Sequence, residues 1–153
     1  MDLGKDLLES WRIASRLNLF LLEKLSDAQL DAKADKSKSV RGHFAHIHNV
    51  RLMWLKAAAP ELMNGLDKLD DTAKAKEVKS ALEKSGKAIE KLVQNALDSG
   101  KSVKGFKPTA TAFVCYLCSH EAFHRSQIEL VLRQTGSPLD DKTAYGLWEW
   151  GVR

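Results

Sequence analysis

The chain has 153 residues, of which 44% are hydrophobic and 29% are charged, and its formal net charge is +4. This balance is typical of a soluble globular protein, and the length fits a single domain over residues 1–153. Lysines alternate with acidic residues, which indicates solvated helix faces and argues against nucleic acid as a partner. No apolar run approaches the roughly 18 residues of a membrane span. With two cysteines and no export signal at the N-terminus, we expect a cytoplasmic protein.

A first helix is predicted over residues 3–25 by hydrophobic residues at a spacing of 3.6. Seven of them share one face: Leu3, Leu7, Trp11, Ala14, Leu21, Leu22 and Leu25. Asn18 lies on that face too, either as a hydrogen-bonded core residue or as a contact to a substrate or to metal ligands. Ser26 and Gln29 then match a capping box for a short turn.

A second long helix is predicted over residues 40–59, because Ser39 can cap its start and a proline follows its end. Three histidines lie in its first half. The helical wheel places His43 nearest the apolar centre, with His46 and His48 on opposite flanks. Periodicity alone therefore favours His43 as an inward-facing group and places His48 at the polar edge.

Two further helices complete the pattern. The third covers residues 72–98 and carries no obvious chemistry, and the fourth runs from Thr109 or Thr111 to Gly136. The tail contains the aromatic run 145–150, which we expect to dock on the other helices. Because no stretch alternates with period 2, the sequence predicts an all-α four-helix bundle with a short C-terminal aromatic segment docked on it.

The fourth helix carries His120 and His124 one turn apart in the middle of its apolar face, with Gln127 beside them. Leaving a buried polar group unpaired costs about 1–3 kcal/mol. A divalent ion satisfies both ring acceptors at once, and this spacing is usual for zinc-like ions. The pattern favours metal ligands over hydrogen-bonded core histidines, and Gln127 is a candidate contact to the substrate or the ligands.

Two short motifs overlap this region. The run from His120 to His124 spells the H-E-x-x-H of zinc proteases, in which the glutamate, here Glu121, is a general base. A protease also needs a third ligand, usually downstream, and a strand to hold its peptide, and the sequence offers neither a suitable downstream ligand nor a strand. The alternative for Glu121 is a solvated acid. Cys115 and Cys118 form a C-x-x-C on the opposite side of the helix, which favours packed, inert thiols.

Four motifs occur in order along the chain: His46 followed by Trp54, the run from His120 to Ile128, Gly136-x-Pro138, and the run from Gly146 to Gly151. In this order they resemble the DinB-like superfamily over nearly the whole chain, with a departure at Ser126, where many relatives carry glycine. The resemblance implies one divalent ion, commonly nickel or zinc, held by three histidines. By position these are His46, His120 and His124, while His43 remains the alternative ligand.

The resemblance also implies a function. Members of the superfamily are similar to metal-dependent thiol transferases and hydrolases, so a small molecule or a low-molecular-weight thiol is the expected substrate and a homodimer the expected assembly. A three-histidine ion keeps positions open for water, substrate or thiolate, as catalytic sites do. Glu121 is then a candidate catalytic residue. The alternative is a non-catalytic metal-binding module of the stress response, whose ion braces the bundle.

Overall fold

The computed structural model describes residues 2–153 of the chain as a bundle of helices. The helices are α1 (Leu3–Lys24), α2 (Asp27–Asp31), α3 (Val40–Ala58), α4 (Ala75–Ser99), α5 (Ala110–Gln134) and α6 (Asp141–Gly146), with 3₁₀ turns at Pro60–Met63 and Trp150–Val152. The described residues contain no strand, so the all-α prediction is confirmed. None of the helices they form is both long and apolar enough to cross a membrane.

The helix ends follow the predicted local chemistry. The side chains of Ser39 and Thr109 accept hydrogen bonds from backbone N–H groups in the first turns of α3 and α5. Ser26 and Gln29 form the predicted capping box at the start of α2. Gly100 ends α4 in the left-handed conformation, at φ +65°. The long helices therefore begin and end close to the positions that the sequence indicates.

Two apolar clusters form the core. One, around Trp11 and Phe113, packs α1, α3, α4 and α5 together near one end of the bundle. The other, around Phe44 and Ile128, does the same toward the other end. On α3, α4 and α5, the residues between the two clusters include buried polar side chains. We call this level of the bundle the polar layer and define it by Asn18, His48, Arg51, Ser85, Glu121 and Arg125.

The polar layer is centred on an ion pair between Arg51 and Glu121, whose side chains are 0% and 1% exposed. The guanidinium donates from Nε to Oε1 at 2.7 Å and from Nη2 to Oε2 at 2.9 Å. Asn18 donates to the same carboxylate at 2.7 Å and accepts from Arg125 at 2.7 Å. The alternative of a solvated acid at Glu121 is therefore wrong, because Arg51 compensates its charge inside the bundle. For Asn18 the structure supports the hydrogen-bonded core residue.

His48 also belongs to the polar layer, contrary to its predicted place at the polar edge. The side chain is fully buried. Its Nδ1 lies 3.1 Å from the Ser85 hydroxyl of α4, and its Nε2 lies 2.9 Å from the carbonyl oxygen of Asp67. The prediction failed because partners on a neighbouring helix and loop satisfy both ring nitrogens, which periodicity within one helix does not reveal.

The C-terminal segment docks on α1, as expected, but through few of its aromatic residues. Thr143 and Leu147 are buried, and the Arg153 guanidinium lies 3.8 Å from the centre of the Phe20 ring. Trp148, by contrast, is 81% exposed. The tryptophans were expected to need a covering surface, whereas Leu147, which belongs to the second apolar cluster, and Arg153 make the contacts.

Replacing Arg51 with methionine should lower the free energy of unfolding by about 3–5 kcal/mol, because the Glu121 carboxylate would stay buried without its charge partner. Chemical denaturation followed by circular dichroism measures the change. Arg133→Met is the matched control, since Arg133 is 70% exposed and lies 3.6 Å from Glu129. The control should change stability by less than about 1 kcal/mol. Equal, small effects of both substitutions would contradict a structural role for the buried pair.

Replacing Gly146 with alanine should lower the free energy of unfolding by about 1–3 kcal/mol, because the added carbon must displace a packed ring. A Cβ at Gly146 would lie 2.5 Å from Cζ of Phe20. Gly151→Ala is the control, since a Cβ there meets no atom within 4 Å, and it should change stability by less than about 0.5 kcal/mol. Denaturation curves that coincide for the two variants would show that the segment does not pack on Phe20.

Candidate metal centre

Histidines from two helices meet where α3 packs against α5. The spacing of four residues places His120 and His124 on one side of α5, and His46 projects toward them from α3. The ring centres are 4.6 Å apart for His46 and His124, 4.6 Å for His120 and His124, and 5.4 Å for His46 and His120. One ring nitrogen from each of the three lies within 4.8 Å of the others. We call these three residues the histidine triad.

His43 lies beside the triad but is not part of it. Its Nδ1 is 3.0 Å from Nδ1 of His124, whereas the Nε2 of His124 faces Nε2 of His120 at 3.2 Å. The wheel was right that His43 faces inward, since it is 5% exposed. The resemblance nevertheless selects the residue that completes the group of three, because His46 is the α3 histidine whose nitrogen converges with both histidines of α5.

The four rings are held in their neutral form. The pKa of His43 is lowered to about 4 and that of His124 to about 3, mainly because the rings are buried. Burial also lowers the pKa of His46 and of His120. The positive charge of Lys38 adds to the effect on His43, His46 and His124. The rings are therefore unprotonated near neutral pH, which is the state that binds metal ions.

The donor atoms fit a transition-metal ion. Two nitrogens on a tetrahedral ion with bonds of about 2.0–2.1 Å lie about 3.3 Å apart, close to the 3.2 Å between the Nε2 atoms of His120 and His124. Imidazole ligands suit zinc, nickel, copper and iron. The residues present can therefore hold one such ion.

Two cavities adjoin the triad on the side of His46. One, of about 330 Å³, is mainly polar and is lined by Lys38 and Asn49 among others. The second, of about 570 Å³, shares Asn49 and is more apolar, with Met53 and Leu66 in its wall. His46 lines both cavities. Each volume falls in the range of small-molecule sites, so molecules of that size can reach His46, the one triad residue that lines the two cavities.

The other candidate site residues lie apart from this group. Both carboxylate oxygens of Glu121 accept hydrogen bonds from Arg51, and one also from Asn18, so the carboxylate is engaged in the polar layer. Gln127 is half-buried on α5, one turn beyond the triad. Sequence reasoning missed Arg51. The sequence signal that could have revealed a buried Arg51 is its position seven residues after Phe44, which places it on the apolar face of α3.

The cysteines take no part in the triad. Cys115 is exposed and Cys118 is partly buried, and both are free thiols. Burial raises the pKa of Cys118 to about 11, which keeps the thiol protonated and unreactive. The prediction of packed thiols therefore holds for Cys118 and is wrong for Cys115, whose side of α5 is open to solvent.

Comparison with known proteins agrees with the motifs. The family model described as DinB family matches residues 1–149. No curated protein and no solved structure is significantly similar to the chain. The matched region contains α3 and α5 entirely, so the whole histidine triad lies within it.

Substituting His46, His120 or His124 with alanine should in each case abolish stoichiometric metal binding, because two imidazoles hold an ion far more weakly than three. The measurement is elemental analysis of protein that has been reconstituted with zinc or nickel and then desalted. The wild-type protein should retain about one ion per chain. Full retention by any of the three variants would remove that residue from the ligand set.

Two controls accompany these variants. His43→Ala and the double variant Cys115→Ser/Cys118→Ser should both retain about one ion per chain, because neither removes a triad nitrogen. A loss of the ion from the cysteine variant would show that the thiols take part in metal binding. A loss from His43→Ala that persists at saturating metal concentration would make His43 a ligand.

Proposed function

Since the chain belongs to the DinB family, we propose that it is a metal-dependent enzyme that acts on a small molecule. The observation that carries the proposal is the convergence of the nitrogens of His46, His120 and His124 within 4.8 Å, beside two open cavities. Structural zinc sites have four protein ligands, whereas catalytic sites have three. A divalent ion, nickel or zinc, bound there supplies Lewis acidity for hydrolysis or for the transfer of a thiol.

The chain's own residues define how a substrate would bind. In the polar cavity, Lys33 and Lys38 outnumber the one carboxylate, that of Asp71, and offer positive charge to an anionic group. In the second cavity, Met53, Met63 and Leu66 offer apolar contacts to the carbon part of the same molecule. His46 lines both cavities. We therefore propose a small, partly anionic substrate, a description that includes low-molecular-weight thiols.

An activity screen tests the proposal and separates the two reactions. Zinc- or nickel-loaded protein is assayed with several low-molecular-weight thiols and a chromogenic electrophile, and separately with small esters and amides. We expect turnover in one set, its loss on chelation, and its loss in His120→Ala, because that variant lacks a triad nitrogen. Cys115→Ser is the matched control and should keep full activity, since Cys115 lies outside the triad and is exposed.

The competing function is a non-catalytic metal-binding module, which the placement of ligands on both α3 and α5 favours. An ion that links two helices stabilises the folded chain, by about 2.7 kcal/mol at a free ion concentration of 100 times Kd. A stability gain of this size without turnover in either set would establish the module and refute the enzyme. The homodimer expected from the sequence stays a prediction.

A further inference from the structure

We propose that His43 is a positioning residue of the metal centre, which accepts the Nδ1 proton of His124 and so fixes the tautomer in which Nε2 of His124 binds the ion. The proposal rests on the metal site proposed above. Its basis is the distance of 3.0 Å between the Nδ1 atoms of His43 and His124. A bond between two imidazole nitrogens needs one proton, so one ring donates and the other accepts.

The contacts of His124 decide which nitrogen is available to an ion. Its Nδ1 is covered by His43, while its Nε2 faces Nε2 of His120 at 3.2 Å. If Nε2 gives its lone pair to an ion, the single proton of the neutral ring must be on Nδ1. That proton points at His43, which must then accept it with the lone pair of its own Nδ1.

When no ion is bound, the hydrogen bonds along the row of rings from His43 through His124 to His120 can run in two directions. In one direction, His43 donates to His124 and His124 donates through Nε2 to His120. In the reverse direction, His120 donates to His124 and His124 donates through Nδ1 to His43. Only the reverse direction leaves Nε2 of His124 as an acceptor. For an ion to bind between the two Nε2 atoms, the single proton of the neutral His120 ring must then move to its own Nδ1. The ligand-competent tautomer is therefore the one in which His43 is the acceptor.

The surroundings of His43 show that this contact is its main polar interaction. The ring is 5% exposed, and its Nε2 is buried without a hydrogen-bond partner among the described residues. Within residues 2–153, the bond to His124 is thus the one hydrogen bond that the His43 ring makes, and a buried polar ring without any partner would cost free energy. Histidine ligands of metals usually donate their second N–H to such a fixed acceptor, which sets the ring orientation.

Two variants separate positioning from simple packing. His43→Leu introduces an apolar side chain of similar length that has no acceptor. His43→Asn places Oδ1 where Nδ1 of the histidine lies. Zinc affinity is measured by competition with a chromophoric chelator. We expect His43→Leu to bind about one zinc ion per chain with about 10- to 100-fold lower affinity. We expect His43→Asn to stay within about threefold of the wild-type affinity, because it restores the acceptor.

Each contrary result overturns the proposal in a recognisable way. Wild-type affinity in His43→Leu would show that the contact does not matter, and an equal loss in both variants would show that the imidazole acts by packing. A fall in stoichiometry in both variants would make His43 a ligand. Circular dichroism checks that the variants fold.

Nitrogen NMR of the zinc-loaded wild-type protein gives a readout that needs no variant. Long-range ¹H–¹⁵N correlations should place the ring proton of His124 on Nδ1, and a proton on Nε2 would refute the proposal. If His43→Leu loses affinity, His43→Asn keeps it and the loaded protein has no turnover, the enzyme is refuted while the role of His43 stands. If the wild-type protein binds no zinc or nickel, both proposals fail.

Discussion

The ion pair between Arg51 and Glu121 is the interaction on which the geometry of the bundle depends. It joins α3 to α5 through two hydrogen bonds below 3 Å, and Asn18 adds α1 to the same carboxylate. A buried charge with no partner is costly, so any relative sliding of α3 and α5 that breaks the pair is strongly disfavoured. The nitrogens of His46 and His120 come from these same two helices. A shift of one helical turn, about 5.4 Å, would exceed the whole spread of the triad.

This arrangement shows how the H-E-x-x-H pattern is used in this fold, where Arg51 binds both carboxylate oxygens of the glutamate. Successive residues of a helix point about 100° apart, so His120 and Glu121 face different neighbours. His120 and His124 turn toward α3 and its histidines, while Glu121 and Arg125 enter the polar layer. The motif therefore has two roles at a helical spacing: its histidines place nitrogens that could hold an ion, and its acid pairs with Arg51 and joins α5 to α3.

The helices and the histidine pair could be predicted because both depend on spacing within one helix. The choice between His43 and His46 could not, because it depends on how α3 is rotated against α5, and the resemblance supplied that information. Arg51 was missed since a charged side chain on an apolar face is interpretable only when its partner, 70 residues away, is known. The exposure of Trp148 was not predicted. The tail is held instead by the contact between Arg153 and Phe20, which no periodic pattern in the sequence indicates.

The charges around the triad bear on what it can bind. All three nitrogens belong to neutral rings, and the charge of the nearby Glu121 carboxylate is compensated by its ion pair with Arg51. Neutral ligands cancel none of the charge of a divalent ion. In a partly buried site, such an ion would attract an anion more strongly than an ion bound by carboxylates does. The ammonium of Lys38 adds to this preference on the side of the polar cavity. The charge of the ion that we propose and that of Lys38 would together favour an anion over a neutral molecule at this centre.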